Sequence, residues 1–154
     1  MGARIGTIAA ALAAALLAAG CLFTTIADPQ YDEAAKQFVT HPAAASIFVY
    51  RSRFNHQAGD SVLYLDGRIV GMTQPGSYYR LDTTPGVHTL HGTGSDIGQL
   101  MVTTRGGQLY FVSVEVIGGH SSFSLVAEET GREQIRACCV LMNTAPFPRG
   151  APVY

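Results

Sequence analysis

The sequence contains few lysines and few cysteines, and its first apolar segment is short for a membrane-spanning helix. The basic residues are spread along the 154-residue chain, Lys36 is the one lysine, and the net charge is -1. A surface that follows nucleic-acid phosphates needs clustered Lys and Arg, so nucleic acid is not an expected partner. Acidic tails, internal repeats and coiled-coil heptads are also absent from the sequence. The length predicts one domain.

The first apolar segment, Ile5 to Ala19, covers about 15 residues, whereas a helix needs roughly 20 to span the hydrocarbon core. Arg4 precedes it, and small residues fill the positions up to Gly20, directly before Cys21. This order is typical of an export signal. The alternatives are a weak transmembrane anchor and an ordinary secretory signal that leaves Cys21 as a free thiol.

The stretch LLAAGC, which ends at Cys21, resembles the lipobox of bacterial lipoproteins. The resemblance implies a cut between Gly20 and Cys21, a diacylglycerol on the Cys21 thiol and an acyl chain such as palmitate on the new amino group. Most lipoboxes have Leu three residues before the cysteine, and here Ala18 stands there. Leu22 follows the cysteine where enteric inner-membrane lipoproteins tend to have Asp. The analogy favours an outer-membrane protein that faces the periplasm or the cell surface. No cofactor besides this covalent lipid is expected.

A short helix is predicted after the cysteine. Asp28-Pro29 suits the start of a helix, because Asp can cap it and Pro is favoured in the first turn. His41-Pro42 ends it, since the residue before proline avoids helical dihedrals. Tyr31 and Phe38 lie at helical spacing, and we expect this face to pack on the domain. The alternative is a helix that lies on the membrane.

From Ala44 onward the apolar pattern changes to period two in short runs bounded by turns. About eight such runs, few helices and many glycines predict an all-β fold, a compact antiparallel β-sandwich. GQLMVTT and QLYFVSVEV are expected to pair around Gly106-Gly107. GREQIRACCVLM fits a short helix as well as a strand.

The clearest hairpin is SVLYLDGRIVGM. Its turn, Asp66-Gly67, suits a two-residue type I′ turn, in which both central residues have positive φ. That register pairs Leu65 with Arg68, Tyr64 with Ile69, and Leu63 with Val70.

These patterns divide the chain into four segments. They are a lipoprotein signal peptide at 1–20, the lipidated cysteine with linker and short helix at 21–43, the β-sandwich domain at 44–142, and a Pro-rich tail at 143–154. The tail is expected to be extended or disordered because of its prolines.

SIFVYRSRF, VLYLDGRIVGMT, GSYYRL, TTPGVHTL and GGQLYFVSVEV follow one another between Ala44 and about Arg136. In order and spacing these pieces resemble the bacterial domain of unknown function 2846, whose members are mostly small envelope lipoproteins. The glycine turns followed by Pro85-Gly86 and His88 also resemble PEGA surface-layer domains, which are small β-sandwiches. The resemblance implies a β-sandwich in the cell envelope, and the family has no assigned activity.

His88 and His91 are the first candidates for a metal site. On a strand, side chains three residues apart point to opposite faces, and zinc needs three or four ligands, so no metal is expected. The turns Asp66-Gly67 and Pro85-Gly86 are assigned a structural role. The His88 ring is expected to fix the second turn by packing or hydrogen bonding.

GGHSSF places His120 beside Ser121 and Ser122. A hydrolase would also need an acid, such as Asp96 or Glu115, and an oxyanion donor that converge in space. Adjacent side chains on a turn point in different directions, and the sequence has no G-x-S-x-G elbow. A hairpin loop in a protein that is not an enzyme is therefore favoured, and a small envelope hydrolase is an alternative.

Arg51 ends the first predicted strand, and Tyr78 and Tyr79 lie in a later one. Arg beside exposed Tyr can form a recognition patch, which makes a glycan- or peptidoglycan-binding module a second alternative. In the other interpretation, Arg51 pairs with a carboxylate at a sheet edge and one tyrosine faces the core. The leading hypothesis is a lipid-anchored envelope protein whose domain, without catalysis, binds another envelope component, such as a protein, or has a structural role.

Cys138 and Cys139 are neighbours in a chain expected in an oxidising compartment. A disulfide between neighbours closes a strained ring and is rare. The pair is therefore expected to be two small apolar residues, one of them buried. A disulfide to another molecule is the alternative.

Overall fold

The structure, a computed structural model, describes residues 24–54, 61–93 and 98–145. Two helices and nine strands lie in these ranges. The helices are α1 (Pro29–Ala35) and α2 (Glu128–Cys138). The strands are β1 (Ala45–Arg51), β2 (Ser61–Leu65), β3 (Arg68–Thr73), β4 (Ser77–Thr83), β5 (Gly86–His91), β6 (Leu100–Thr104), β7 (Leu109–Ile117), β8 (His120–Val126) and β9 (Val140–Leu141).

The strands form two sheets that pack face to face. One sheet has the order β8-β7-β1-β4-β9 and the other the order β3-β2-β5-β6. Side chains from both sheets, among them Val49, Leu63, Leu90 and Val112, meet in one core between them. The predicted all-β sandwich with short helices is thereby confirmed.

Most strand pairs are antiparallel as predicted, but the five-stranded sheet also contains two parallel pairs. β1 pairs antiparallel with β4 but parallel with β7, and β4 pairs parallel with β9. The predicted pair of GQLMVTT with QLYFVSVEV is wrong, because β6 pairs with β5 while β7 pairs with β1 and β8. The turn at Gly106-Gly107 therefore carries the chain from one sheet to the other.

β1 lies in the middle of the five-stranded sheet, and all seven of its residues are buried. Ile47 faces the core between the sheets, whereas Phe48 faces a second core under the helices. There the Phe48 ring stacks on Phe111 with centroids 5.1 Å apart, and Phe38 packs edge-on against Phe48. Both faces of this sheet are thus covered in its centre.

Helix α2 lies on the outer face of this sheet, directly above Phe111. A Cβ at Gly131 would overlap the Phe111 side chain, so a glycine permits this close approach. Arg132 and Arg136 extend over the ring of Phe38, each 5.0 Å from its centroid. The ambiguous run GREQIRACCVLM is therefore helix up to Cys138, followed by β9.

The β2–β3 hairpin has the predicted turn, with φ of 51° at Asp66 and 74° at Gly67. The first two predicted pairs are confirmed, but Leu63 lies opposite Gly71 instead of Val70. A β-bulge causes the difference, because it sets two residues of one strand against one of the other.

Helix α1 begins as predicted, with the Asp28 side chain accepting a hydrogen bond from the Gln30 N–H at 3.1 Å. It ends at Ala35, well before Pro42. Phe38 then adopts a φ of 53°, and its ring enters the second core. Tyr31 is exposed, so the predicted packing face is correct for Phe38 and wrong for Tyr31.

The segment before α1 belongs to the sandwich, which corrects the predicted boundary at residue 44. Ile26 forms a bridge with Met142, next to β9. The Met72 N–H of β3 donates to the Thr24 hydroxyl at 2.8 Å. Residues 24–27 therefore run between an edge of one sheet and an edge of the other.

The start of the predicted tail is also held by the domain. The Asn143 N–H donates to the Thr25 carbonyl at 2.9 Å, and the Ala145 N–H donates to the Val70 carbonyl at 2.6 Å. The rest of the tail, 146–154, lies outside the described residues, as do the predicted signal peptide and Cys21. Within the described ranges, neither helix is long and apolar enough to cross a membrane.

Candidate functional site

The predicted recognition patch of Arg51, Tyr78 and Tyr79 is wrong, because all three side chains are buried. β4, which carries both tyrosines, is an internal strand with one face in each core, and Arg51 lies at the end of the central strand. The Arg51 guanidinium donates to the Thr73 carbonyl of the other sheet at 3.1 Å. This arginine therefore joins the two sheets and is not available to a ligand.

Asp32 on α1 organises the contacts around Tyr78. Its Oδ1 accepts hydrogen bonds from the Tyr78 hydroxyl and the Leu141 N–H, both at 2.9 Å, and its Oδ2 accepts one from Lys36 at 2.7 Å. Burial, with a further contribution from the Asp32 carboxylate, raises the pKa of Tyr78 far above its usual range. Sequence reasoning missed this carboxylate, because it stands among the charged residues of a short helix.

The two turns to which a structural role was assigned are joined by His88. Its Nδ1 lies 2.7 Å from the Asp66 carboxylate, and its Nε2 lies 2.8 Å from the Thr84 carbonyl beside Pro85-Gly86. The other oxygen of Asp66 accepts a hydrogen bond from the Thr89 N–H at 2.8 Å. These contacts agree with the structural interpretation of the turn residues and of His88.

His91 has different surroundings. Its ring stacks on that of Tyr64, with centroids 4.6 Å apart and planes nearly parallel. His88 and His91 are therefore not brought together. In the part of the chain that the structure describes, no three His, Cys, Asp or Glu side chains are grouped as metal ligands would be.

The β7–β8 hairpin separates the two serines considered as nucleophiles. Ser121 is buried, and its hydroxyl lies 2.5 Å from that of Ser61, so it faces the space between the sheets. Ser122 is exposed and lies opposite Glu115 in the strand register. His120 is exposed on the same face, two positions away. No hydrogen bond joins His120, Ser122 and Glu115 within the described residues, and Asp96 lies outside them.

A groove of about 370 Å³ lies beside this hairpin, on the outer face of the five-stranded sheet. It is lined by residues from the end of β1 and the chain after it, from β7 and from α2: Tyr50, Ser52, Phe54, Ser113, Val114, Glu115 and Gln134. Tyr50 and Ser113 are partners in the parallel β1–β7 pair, which sets them side by side in the floor. The groove is thus built on the central strands of the sheet.

The groove combines an exposed aromatic ring with groups that hydrogen-bond. Phe54 is 90% exposed at its rim. Burial raises the pKa of Tyr50, whose phenol can donate and accept hydrogen bonds. Glu115 and Gln134 add a carboxylate and an amide. An aromatic ring beside a few polar groups suits a ligand that has both apolar faces and hydroxyl or amide groups.

The groove continues onto a polar strip, defined as Ser113, Glu115, His120, Ser122 and Ser124. All five lie at alternate positions of β7 and β8 and therefore share the outer face of the sheet. The alternation of small polar and apolar residues in VSVEV and HSSFS is the sequence signal that would have located this strip. Sequence reasoning used only its apolar half.

Cys138 and Cys139 are joined to each other by a disulfide, and both are buried. The expectation of two unlinked apolar residues is therefore wrong, and so is the alternative of a disulfide to another molecule. Cys138 ends α2 and Cys139 is already extended, so the pair spans the junction of helix and strand. Arg53 donates from Nε to the Cys138 carbonyl at 2.6 Å, which places a cation at the end of the helix.

Comparison with known proteins adds one relative and no activity. The chain is similar to an uncharacterized protein of Haemophilus influenzae, with 27% identity over 134 residues that cover 82% of this chain and 79% of that protein. No family model matches the sequence, and no solved structure matches it. The similarity thus extends over most of both chains.

Proposed function

We propose that this chain is a bacterial envelope lipoprotein, held by lipid on Cys21, whose β-sandwich binds another envelope component without catalysis. The position of LLAAGC supports the anchor. The implied cut between Gly20 and Cys21 precedes Thr24, the first residue that the structure ties to the sandwich. Removal of the signal therefore takes away no described strand or helix.

Replacement of the cysteine tests the anchor. In a bacterial host grown with labelled palmitate, Cys21→Ser should accumulate as an uncut precursor without label, because the thiol that takes the lipid is missing. The conservative variant Thr25→Ser serves as the control and should be cut and labelled like the unaltered chain. Fractionation of the control should recover it with the outer membrane. Normal processing of Cys21→Ser would refute the lipoprotein proposal.

The groove favours a glycan as the bound component. Sugar rings have C–H faces that pack on aromatic side chains, and their hydroxyls pair with carboxylate, amide and hydroxyl groups. Phe54, Glu115 and Gln134 supply these groups at one place. Arg51, Tyr78 and Tyr79 are buried and do not contribute to this proposed glycan site.

Isolated peptidoglycan is the probe for the glycan proposal. The chain should sediment with purified peptidoglycan, and Phe54→Ala or Glu115→Gln should weaken binding by about tenfold, the loss that one good contact causes. Glu129→Gln, an exposed carboxylate on α2 outside the groove, is the matched control. Equal sedimentation of groove and control variants would refute a glycan site in the groove.

A further inference from the structure

We infer that the outer face of the four-stranded sheet lies on the lipid bilayer, an orientation that rests on the proposed lipid at Cys21. We call this surface the open face. Outward-pointing residues of all four strands form it, including Tyr64, Ile69, Met72, Val87, His91 and Met101. Each alternates along its strand with inward residues such as Leu63, Leu90 and Val102, which lie in the core.

The chain between the proposed lipid and the domain is short. Thr24 is bound to β3 through the Met72 N–H, and Thr25 is bound through the Asn143 N–H at 2.9 Å. Only two residues separate Cys21 from Thr24. The Cα atoms of Cys21 and Thr24 are therefore within about 11 Å of each other even when the chain is fully extended. The acyl chains must enter the bilayer next to β3.

The surface that begins at β3 has the chemistry of a surface that contacts lipid. Met101 and Val87 are 74% and 62% exposed, and none of the six residues named above is an acid, a lysine or an arginine. The paired rings of Tyr64 and His91 have apolar bodies with polar tips, which suits the boundary between lipid and water. Contact with lipid through these residues would remove apolar surface from water.

The opposite side of the sandwich carries charged residues. There α2 presents exposed charged residues, among them Glu129, Glu133 and Arg136. Charged groups lose hydration when they approach hydrocarbon, so this side is unsuited to the bilayer. It also holds the groove, because Ser113 and Glu115 lie on the outer face of the other sheet. With the open face on the lipid, the groove points away from the membrane toward other envelope components.

The sandwich could contact the bilayer with the whole open face or only with its β3 edge, and the width of the face lets the two orientations be distinguished. Four strands span about 14 Å at the usual spacing of 4.7–4.9 Å. Met101 stands on β6, the strand farthest from the tether, so it reaches lipid only when the whole face lies flat. Contact between the Met101 side chain and lipid is therefore the most stringent test of the flat orientation.

The experiment uses the full lipidated chain in vesicles of phosphatidylethanolamine and phosphatidylglycerol that carry nitroxide-labelled lipid. Met101→Cys and the control Glu129→Cys are each labelled with a fluorophore. The native cysteines do not react with the fluorophore, since the Cys21 thiol carries the diacylglycerol and the other two form a disulfide. Lipid nitroxides should quench the label at position 101 several-fold more than the label at 129. Equal quenching at both positions would overturn the orientation.

A longer tether separates this inference from the anchor itself. Inserting about twenty Gly and Ser residues between Phe23 and Thr24 adds a mean reach of about 25 Å. Vesicle binding should persist while quenching at position 101 falls to the level of the control, because the short connection no longer holds the face down. Unchanged quenching would overturn the role given to the tether. The unaltered chain, without a fluorophore, tests the anchor itself. If it takes up no palmitate and does not bind vesicles, the proposed lipid on Cys21 is refuted.

Discussion

The two sheets of the sandwich share one core but differ in what lies on their outer faces. The five-stranded sheet is covered outside by α1, α2 and a cluster of aromatic rings, whereas the four-stranded sheet leaves Val87 and Met101 exposed. The sequences of the strands reflect this. SIFVY in β1 is nearly all apolar, as is typical of a strand buried on both faces, while VHTLH in β5 mixes polar and apolar residues. The covered sheet should therefore supply most of the stability, and the open one should tolerate change.

Truncation of Phe48 and of Met101 compares the two outer faces directly. Phe48→Ala removes a buried ring that contacts Phe38, Phe111 and Tyr78, and should lower the free energy of unfolding by about 4 kcal/mol. Met101→Ala on the open face should change it by less than about 0.5 kcal/mol. Urea denaturation measures both. Losses of similar size would show that the second core is not a separate source of stability.

Asp32→Ala tests how α1 is held on the five-stranded sheet. The change leaves the Tyr78 hydroxyl and the Leu141 N–H without the carboxylate that they share, which should cost about 3 kcal/mol. Glu33→Ala, an exposed position of the same helix, is the matched control and should cost less than about 0.5 kcal/mol. If both variants had the same urea midpoint, the contacts of Asp32 would contribute nothing to stability.

Gly131→Ala tests the close approach of α2. Alanine favours a helix over glycine by about 1 kcal/mol, but its Cβ would overlap Phe111, and overpacking of this kind costs about 1–3 kcal/mol. We expect a net loss of about 1 kcal/mol. Thr130→Ala, exposed on the same helix, should be neutral or slightly stabilising. A Gly131→Ala variant more stable than the unaltered chain would show that α2 does not rest on Phe111.

The sequence allowed the strands and the β2–β3 turn to be predicted, because both depend on local patterns. Alternation marks a strand, and Asp66-Gly67 meets the need for positive φ. Which strands pair with each other could not be predicted from local patterns. QLYFVSVEV follows GQLMVTT after a glycine turn, yet its neighbours in the sheet are β8 and β1, and β1 lies more than fifty residues earlier.

The candidate site was harder to predict for the same reason. Arg51, Tyr78 and Tyr79 have the side chains of a recognition patch, and only the central place of their strands shows that they are buried. Phe54 and Glu115 are far apart in sequence and meet because β1 and β7 are neighbours. A groove that depends on strand order has no local signal.

Alkaline pH offers the finest test of the difference between the two outer faces. Tyr78 and Tyr50 both lie in the second core, and burial raises the pKa of each in the folded chain, aided at Tyr78 by Asp32. Below about pH 10, the usual pKa of tyrosine, folded and unfolded chains are equally protonated and this effect costs no stability. Above it the unfolded chain loses these protons before the folded chain does, so stability should fall by about 1.4 kcal/mol per pH unit for Tyr78, with a further loss from Tyr50.

Tyr78→Phe should therefore flatten the loss of stability measured by urea titrations above about pH 10, since a phenyl ring has no proton to lose. It should also lower stability at neutral pH, because Asp32 loses a hydrogen-bond donor. Tyr31→Phe, which removes an exposed phenol of α1, should leave the alkaline slope unchanged. The same slope in both variants would mean that the hydroxyl of Tyr78 reaches water, and that the cover on the five-stranded sheet is looser than its packing indicates.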